Sequence, residues 1–112
     1  MLDRAGKELF RCGRSQEALP LLREAMELDE AAVSLHPVRA DTLRDLSISY
    51  ERMGDLQRAL GEGEAARQFH EKALQIAERL VAQDPGRADY LSDLVKSLIR
   101  VSGVDQVRRL ID

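Results

Sequence analysis

The stretch RADTLRDL, residues 39–46, returns as RADYLSDL at residues 87–94. Six of the eight positions are identical, and the offset is 87 − 39 = 48 residues. A chain that repeats at a fixed spacing is built from stacked copies of one structural unit, so this repeat decides the fold. The same offset pairs further residues: Gly6 with Gly54, Gly13 with Gly61, Ala18 with Ala66, Ala25 with Ala73, and Pro37 with Pro85.

Each repeated unit has the pattern of two amphipathic helices. Apolar residues recur at steps of three and four over residues 38–60, and again from Gly63 or Glu64 to residue 83. Gly61 separates the two segments, because glycine readily takes the left-handed conformation that ends a helix. Pro85 ends the second segment, since proline disfavours helical angles before it and cannot continue the hydrogen bonding.

The same register extends the prediction in both directions. It predicts the end of an earlier first helix at residues 2–12 and an equivalent second helix at residues 15–35, with a mild kink at Pro20. A third unit begins at residue 87, and we expect Ser102-Gly103 to interrupt its helix before a short segment at residues 104–111. The chain is thus predicted to form one domain, with a partial unit (1–37), a complete unit (38–85) and a partial unit (86–112). The buried stripe predicted for residues 15–35 consists of Ala18, Leu22, Ala25, Leu28, Ala32 and Leu35.

The pattern resembles the tetratricopeptide repeat family. That signature has a small residue in the first helix, a glycine at the turn, two alanines where the second helix crosses its partner, and a terminal proline. Those roles fall to Gly54, Gly61, Ala66, Ala73 and Pro85. The resemblance implies an all-α fold of antiparallel helix pairs, stacked as a right-handed superhelix (an α-solenoid) of five or six helices. The period exceeds the usual 34 residues, which is similar to long-helix variants in tandem arrays of larger bacterial signalling proteins.

Composition excludes several classes of function. The net charge is -3 and no long run of Lys or Arg occurs, which argues against a nucleic-acid or anionic-membrane surface. No apolar stretch approaches the roughly 18 residues that a membrane-spanning helix needs. Cys12 is the single cysteine, so an internal disulfide is excluded and a reducing compartment is favoured. We therefore expect a soluble, cytoplasmic protein.

The segment Gly61-Glu62-Gly63-Glu64-Ala65-Ala66 matches G-x-G-x-x-A, one form of the dinucleotide-binding fingerprint. That fingerprint requires a strand before the first glycine, so that the turn and the following helix meet a pyrophosphate. Here a predicted helix precedes Gly61, and Glu62 and Glu64 would place carboxylates beside the phosphates. The segment is therefore interpreted as a helix–helix turn, and no cofactor is expected.

The other residues that could carry chemistry are isolated. His36 and His70 fall in different predicted helices, without the clustered partners of a metal site. Cys12 has no nearby base or oxyanion site, as a nucleophile would need. A helix end is the more ordinary place for His36, and a packing position for His70. We expect neither a metal site nor catalysis.

The resemblance also implies a binding surface, because first helices of the family line a concave groove that holds peptide or protein segments. Members that clamp a terminal carboxylate carry Lys and Asn at positions where this chain has Glu51 and Asp55, so that activity is not expected. The groove positions that the repeat assigns are Lys7, Phe10, Arg11, Ile48, Glu51, Arg52, Asp55, Arg58, Lys96, Ile99 and Arg100.

Several alternatives stay open at this point, of which a helical-repeat RNA binder is the least favoured because of the acidic charge and the two tyrosines. The groove residues could be ordinary exposed side chains that balance each other's charge. The chain could be a scaffold that binds a protein or peptide, or an accessory regulatory segment of a larger signalling enzyme or ATPase. The apolar side of the third unit could pair two copies as a homodimer or an end-to-end stack, or residues 104–111 could fold back over it.

Overall fold

The computed structural model describes residues 15–111, and the side chains of residues 16–102. Within this part of the chain four helices follow one another and no strand occurs. The predicted all-α fold is confirmed. The helices are α1 (Ser15–Leu35), α2 (Ala40–Ala59), α3 (Gly63–Gln83) and α4 (Ala88–Ile111).

The helix count differs from the five or six predicted, for two reasons. The helix expected at residues 2–12 lies outside the described residues. The interruption expected at Ser102-Gly103 is wrong, because α4 runs through both residues to Ile111. One glycine inside a helix costs only about 1 kcal/mol, which the hydrogen bonds of the adjoining turns can offset. Similarly, α1 continues through Pro20.

The two copies of the opening motif start α2 and α4 by the same contacts. Asp41 and Asp89 each accept a hydrogen bond from the N–H of the next residue, at 2.9 Å and 3.0 Å. Each carboxylate also pairs with the arginine two residues before it, Arg39 at 2.8 Å and Arg87 at 2.7 Å. A negative charge in the first turn is favourable because the helix dipole is positive there. The hydrogen bond from Arg87 lowers the pKa of Asp89 below the usual aspartate range.

Gly61 ends α2 as the sequence predicts. Its φ is 82°, the left-handed conformation. Its N–H donates to the carbonyl of Arg58 at 3.0 Å, and the N–H of Glu62 donates to the carbonyl of Gln57 at 2.8 Å. These two bonds form a Schellman motif, which satisfies carbonyls that the helix end would otherwise leave free. The chain then reverses directly into α3.

The core lies where α2 packs between α1 and α3, and it continues into the contact of α3 with α4. Ala66 and Ala73, the predicted crossing alanines, are 4% and 0% exposed. Tyr90, which was not predicted as a core residue, is buried with them. The buried cluster consists of Leu43, Leu46, Tyr50, Ala73, Ile76, Leu80 and Tyr90.

The buried stripe predicted for α1 is partly wrong. Ala18 is buried, but Ala25, Leu28 and Leu35 are exposed. Met26 and Val33 pack against the core instead. By the 48-residue repeat, α1 corresponds to α3. The apolar side of α3 packs against α2, which is the first helix of its own unit. Within the described residues α1 packs against α2, the first helix of the following unit, and therefore presents a different side.

Candidate partner-binding surface

A row of polar side chains joins α2 to α4, the first helices of successive units. At one end of the row Arg44 Nε lies 2.9 Å from Asp93 Oδ2, and Arg44 Nη1 lies 3.5 Å from Asp89 Oδ2. The hydrogen bond to Asp93 and the charge of its carboxylate raise the pKa of Arg44. This end of the row places two acidic residues of α4 against one cation of α2.

The other end of the row carries the opposite charges. Ser97 Oγ donates to Glu51 Oε1 at 3.0 Å, and Arg100 Nε donates to Asp55 Oδ1 at 3.4 Å. Arg100 Nη1 also lies 3.9 Å from Glu51 Oε2. Here the acidic residues belong to α2 and the cation to α4. We call the whole row the polar ladder: Arg44, Glu51, Asp55, Asp89, Asp93, Ser97 and Arg100.

The polar ladder brings together three predicted groove residues, Glu51, Asp55 and Arg100. They are partners of one another, and their side chains are 20%, 45% and 33% exposed. A binding partner would have to break these contacts in order to use them. Their first effect is therefore to hold α2 beside α4.

Other predicted groove residues are exposed beside the polar ladder. Ile48 lies one helical turn from Arg44 and from Glu51, and Lys96 lies one turn from Asp93. Ile48 is 36% exposed and Ile99 53% exposed, and the charged side chains among these residues form no ion pair within residues 16–102. We call this set the seam surface: Ile48, Arg52, Lys96 and Ile99.

The remaining groove residues are divided between two places. Lys7, Phe10 and Arg11 lie outside the described residues. Arg58 is exposed in the last turn of α2, next to the start of α3. There it lines a small cavity with Arg100.

This cavity is bounded by the last turn of α2, the first two turns of α3 and the later part of α4. Its volume is about 170 Å³. Three arginines, one from each helix, are among the residues that line it. The lining residues are Arg58, Gly63, Ala66, Arg67, His70, Arg100 and Val101.

His70 is buried, in keeping with the packing position that the sequence favoured for it. Its side chain is 4% exposed, and its Nε2 lies 3.2 Å from Asp55 Oδ1. The ring also packs against Gly54, where an added Cβ would collide with it. The signal was present in the sequence, because a small residue in the middle of a helix indicates a close neighbour. The sequence does not say that this neighbour is His70.

A second polar cluster joins α1 to α2. Tyr50 Oη donates to Glu30 Oε2 at 2.8 Å, and Ser49 Oγ donates to Asp29 Oδ2. Burial and the bond to Glu30 raise the pKa of Tyr50 well above its ordinary value. The phenol therefore stays neutral and acts as a hydrogen-bond donor at physiological pH.

The part of the chain that the structure describes contains no group of three or more His, Cys, Asp or Glu side chains placed to hold a metal ion. In the same residues, no helix is both long enough and apolar enough to cross a membrane.

Comparison with protein-family models identifies the family to which this helical arrangement belongs. Two tetratricopeptide repeat profiles match the chain, one over residues 5–61 and the other over residues 58–85. The chain belongs to the tetratricopeptide repeat family. Tetratricopeptide repeats generally mediate protein–protein interaction, which agrees with a site made of surface rather than of reactive groups. No curated protein and no solved structure matches the chain.

Proposed function

We propose that this tetratricopeptide repeat chain is a non-catalytic scaffold that binds a peptide or protein segment along the groove side of its first helices. Exposure of Ile48 and Ile99 beside Arg52 and Lys96 is the observation that supports this proposal. Apolar side chains left in water, and cations that form no ion pair within residues 16–102, are groups that a partner can satisfy. A cytoplasmic location is part of the same proposal and rests on the single cysteine.

The chemistry of the seam surface favours a partner segment that is both apolar and acidic. Covering an isoleucine removes apolar area from water, which stabilises a complex by roughly 25 cal/mol per Å². Carboxylates of the partner would meet Arg52 and Lys96, which favours fast association and the correct orientation more than raw affinity. The two isoleucines would supply most of the affinity.

The polar ladder supports this function by fixing the surface in advance. Its ion pairs cross from α2 to α4 at both ends, on either side of Ile48. A partner that binds a pre-formed surface loses less free energy in ordering side chains and helices. The ladder residues are therefore positioning residues in this proposal.

A pull-down with charge-reversal variants tests the proposal. Arg52→Glu combined with Lys96→Glu should abolish capture of a partner that the unaltered chain retains. Arg23→Glu is the charge-reversal control, because Arg23 is exposed on α1, outside the seam surface. Circular dichroism should show the same helix content for all three proteins. Equal capture by all three would place binding elsewhere.

Self-association is a separate proposal. Leu91 and Leu98 of α4 are 43% and 46% exposed on its apolar side. We propose that a second copy covers this side, as a homodimer or an end-to-end stack. Sedimentation over a wide concentration range tests it, and a monomer at high micromolar concentration would rule it out.

A further inference from the structure

The cavity between α2, α3 and α4 has a cationic rim. Arg58, Arg67 and Arg100 reach it from three different helices. The ionic contacts of each arginine indicate how much of this charge is already neutralised.

Two of the three arginines have protein partners. Arg67 Nε lies 3.1 Å from Glu71 Oε1. Arg100 lies 3.4 Å from Asp55 and 3.9 Å from Glu51, both longer than the roughly 2.7–2.9 Å of a strong charge-assisted hydrogen bond.

Arg58 forms no ion pair or side-chain hydrogen bond within residues 16–102. Glu62 and Glu64 flank Gly63 in the sequence, are exposed, and are not among the residues that line the cavity. Among residues 16–102, Arg58 is therefore the lining arginine that a carboxylate could meet without displacing an existing partner. Arg67 and Arg100 already contact three carboxylates, those of Glu71, Asp55 and Glu51, so a group with one negative charge suits the site better than one with two.

The size of the cavity restricts the ligand further. Pockets for whole small molecules usually enclose about 300–1,000 Å³, whereas this one encloses about 170 Å³. Gly63, Ala66 and Val101 give it an apolar wall. A ligand group with a short apolar stem that ends in one carboxylate would place the stem against the apolar wall and the carboxylate near the arginines.

We propose that this cavity binds the side-chain carboxylate of a glutamate or aspartate in the partner segment. The inference rests on the proposed function, since it assigns a binding subsite for that segment. Arg58 forms no side-chain contact of this kind within residues 16–102, so its guanidinium can donate two parallel hydrogen bonds to the carboxylate, and Arg100 supplies a second cation. His70 also lines the cavity, and its contact with Asp55 holds the ring in place.

The test uses a probe of known chemistry rather than an unidentified partner. N-acetylglutamic acid α-amide carries one carboxylate, and N-acetylglutamine α-amide is its neutral isostere. Titration of the full chain with each, followed by NMR of backbone and arginine Nε–H signals, should give saturable shifts at Arg58, Gly63 and Arg100 with the acid alone. Equal shifts with the neutral amide, or none at these residues, would overturn the proposal.

Two variants and a second anion complete the experiment. Arg58→Gln should weaken binding of the acid about tenfold or more, because it removes a charge-assisted contact worth about 1.5–3 kcal/mol. Arg58→Lys should lie between the two, since it keeps the charge and loses the planar fork. Arg23→Gln is the matched control and should bind as the unaltered chain does. Unchanged binding in Arg58→Gln, or tighter binding of inorganic phosphate than of the acid, would overturn the assignment.

The probe also separates this inference from the proposed function. Titration of the acid needs no protein partner, so binding of the probe with no capture in the pull-down would refute the scaffold alone. Capture that depends on Arg52 and Lys96, without any binding of the probe, would refute the carboxylate subsite alone.

Discussion

Replacing Gly54 with alanine is expected to destabilise the protein through one contact. A Cβ at this position would collide with Cδ2 and Nε2 of His70 and would lie 3.0 Å from its Cγ. His70 is 4% exposed and belongs to α3, so it cannot swing into water without opening the helix pair. Either the ring moves and loses its bond to Asp55, or α2 and α3 separate.

Opposing terms set the magnitude of this effect. Alanine is favoured over glycine inside a helix by about 1 kcal/mol. Overpacking a close contact costs about 1–3 kcal/mol, and loss of the hydrogen bond to Asp55 adds about 1 kcal/mol. The net loss of unfolding free energy should therefore be about 1–3 kcal/mol. Urea denaturation measures it as a lower midpoint with an unchanged slope.

A double-mutant cycle separates the preference of a helix for alanine over glycine from the collision with the His70 ring. In a His70→Ala background the collision is absent, so Gly54→Ala should stabilise the chain by up to about 1 kcal/mol. Gly63→Ala is the control in the unaltered chain, because an added Cβ there meets nothing within 4 Å. If Gly54→Ala has the same effect with and without the His70 ring, the packing argument is refuted.

Three further predictions concern the core, the turn and the pH dependence. Ala73→Leu should lower the unfolding free energy by about 1–3 kcal/mol in urea denaturation, because Ala73 is 0% exposed; an unchanged midpoint would contradict its burial. Gly61→Ala should cost about 1–2 kcal/mol by the same measurement, because its φ of 82° is left-handed, while Gly63→Ala should cost far less. The pKa of Asp89 is lowered by Arg87, so its stabilising effect is present above the ordinary aspartate pKa of about 3.9 and is lost as pH falls through the lower folded value. NMR titration should show this pKa rising in Arg87→Gln, and an identical titration curve in both proteins would exclude the pairing.

The order and most of the ends of the helices could be predicted from the sequence, because the residues that end a helix act locally. Gly61 ends α2 through its own backbone angle, and Pro85 stops α3 through its ring and missing N–H. Both act within a few residues of chain, so no knowledge of tertiary contacts was needed. The helix interruption expected at Ser102-Gly103 was wrong, because a glycine inside a helix costs only about 1 kcal/mol.

Burial in the core could be predicted for the complete unit, residues 38–85. Ala66 and Ala73 are buried as expected, because the first helix of their unit, α2, is beside them. The same reasoning failed for Ala25 and Leu28, which are exposed. Periodicity shows that a helix has an apolar side, whereas the neighbour that covers this side depends on stacking.

The sequence by itself determined the family, the turns and the register of 48 residues, because these depend on residue type and spacing along the chain. Only the tertiary structure showed that Glu51, Asp55 and Arg100 hold one another across α2 and α4. It also showed that Arg58 joins a cavity rather than the seam surface. The partners in these ion pairs are 45 and 49 residues apart in the sequence. Which charges pair, and which are left for a partner, is set by side-chain distances across the stacked helices, and the order of residues does not encode those distances directly.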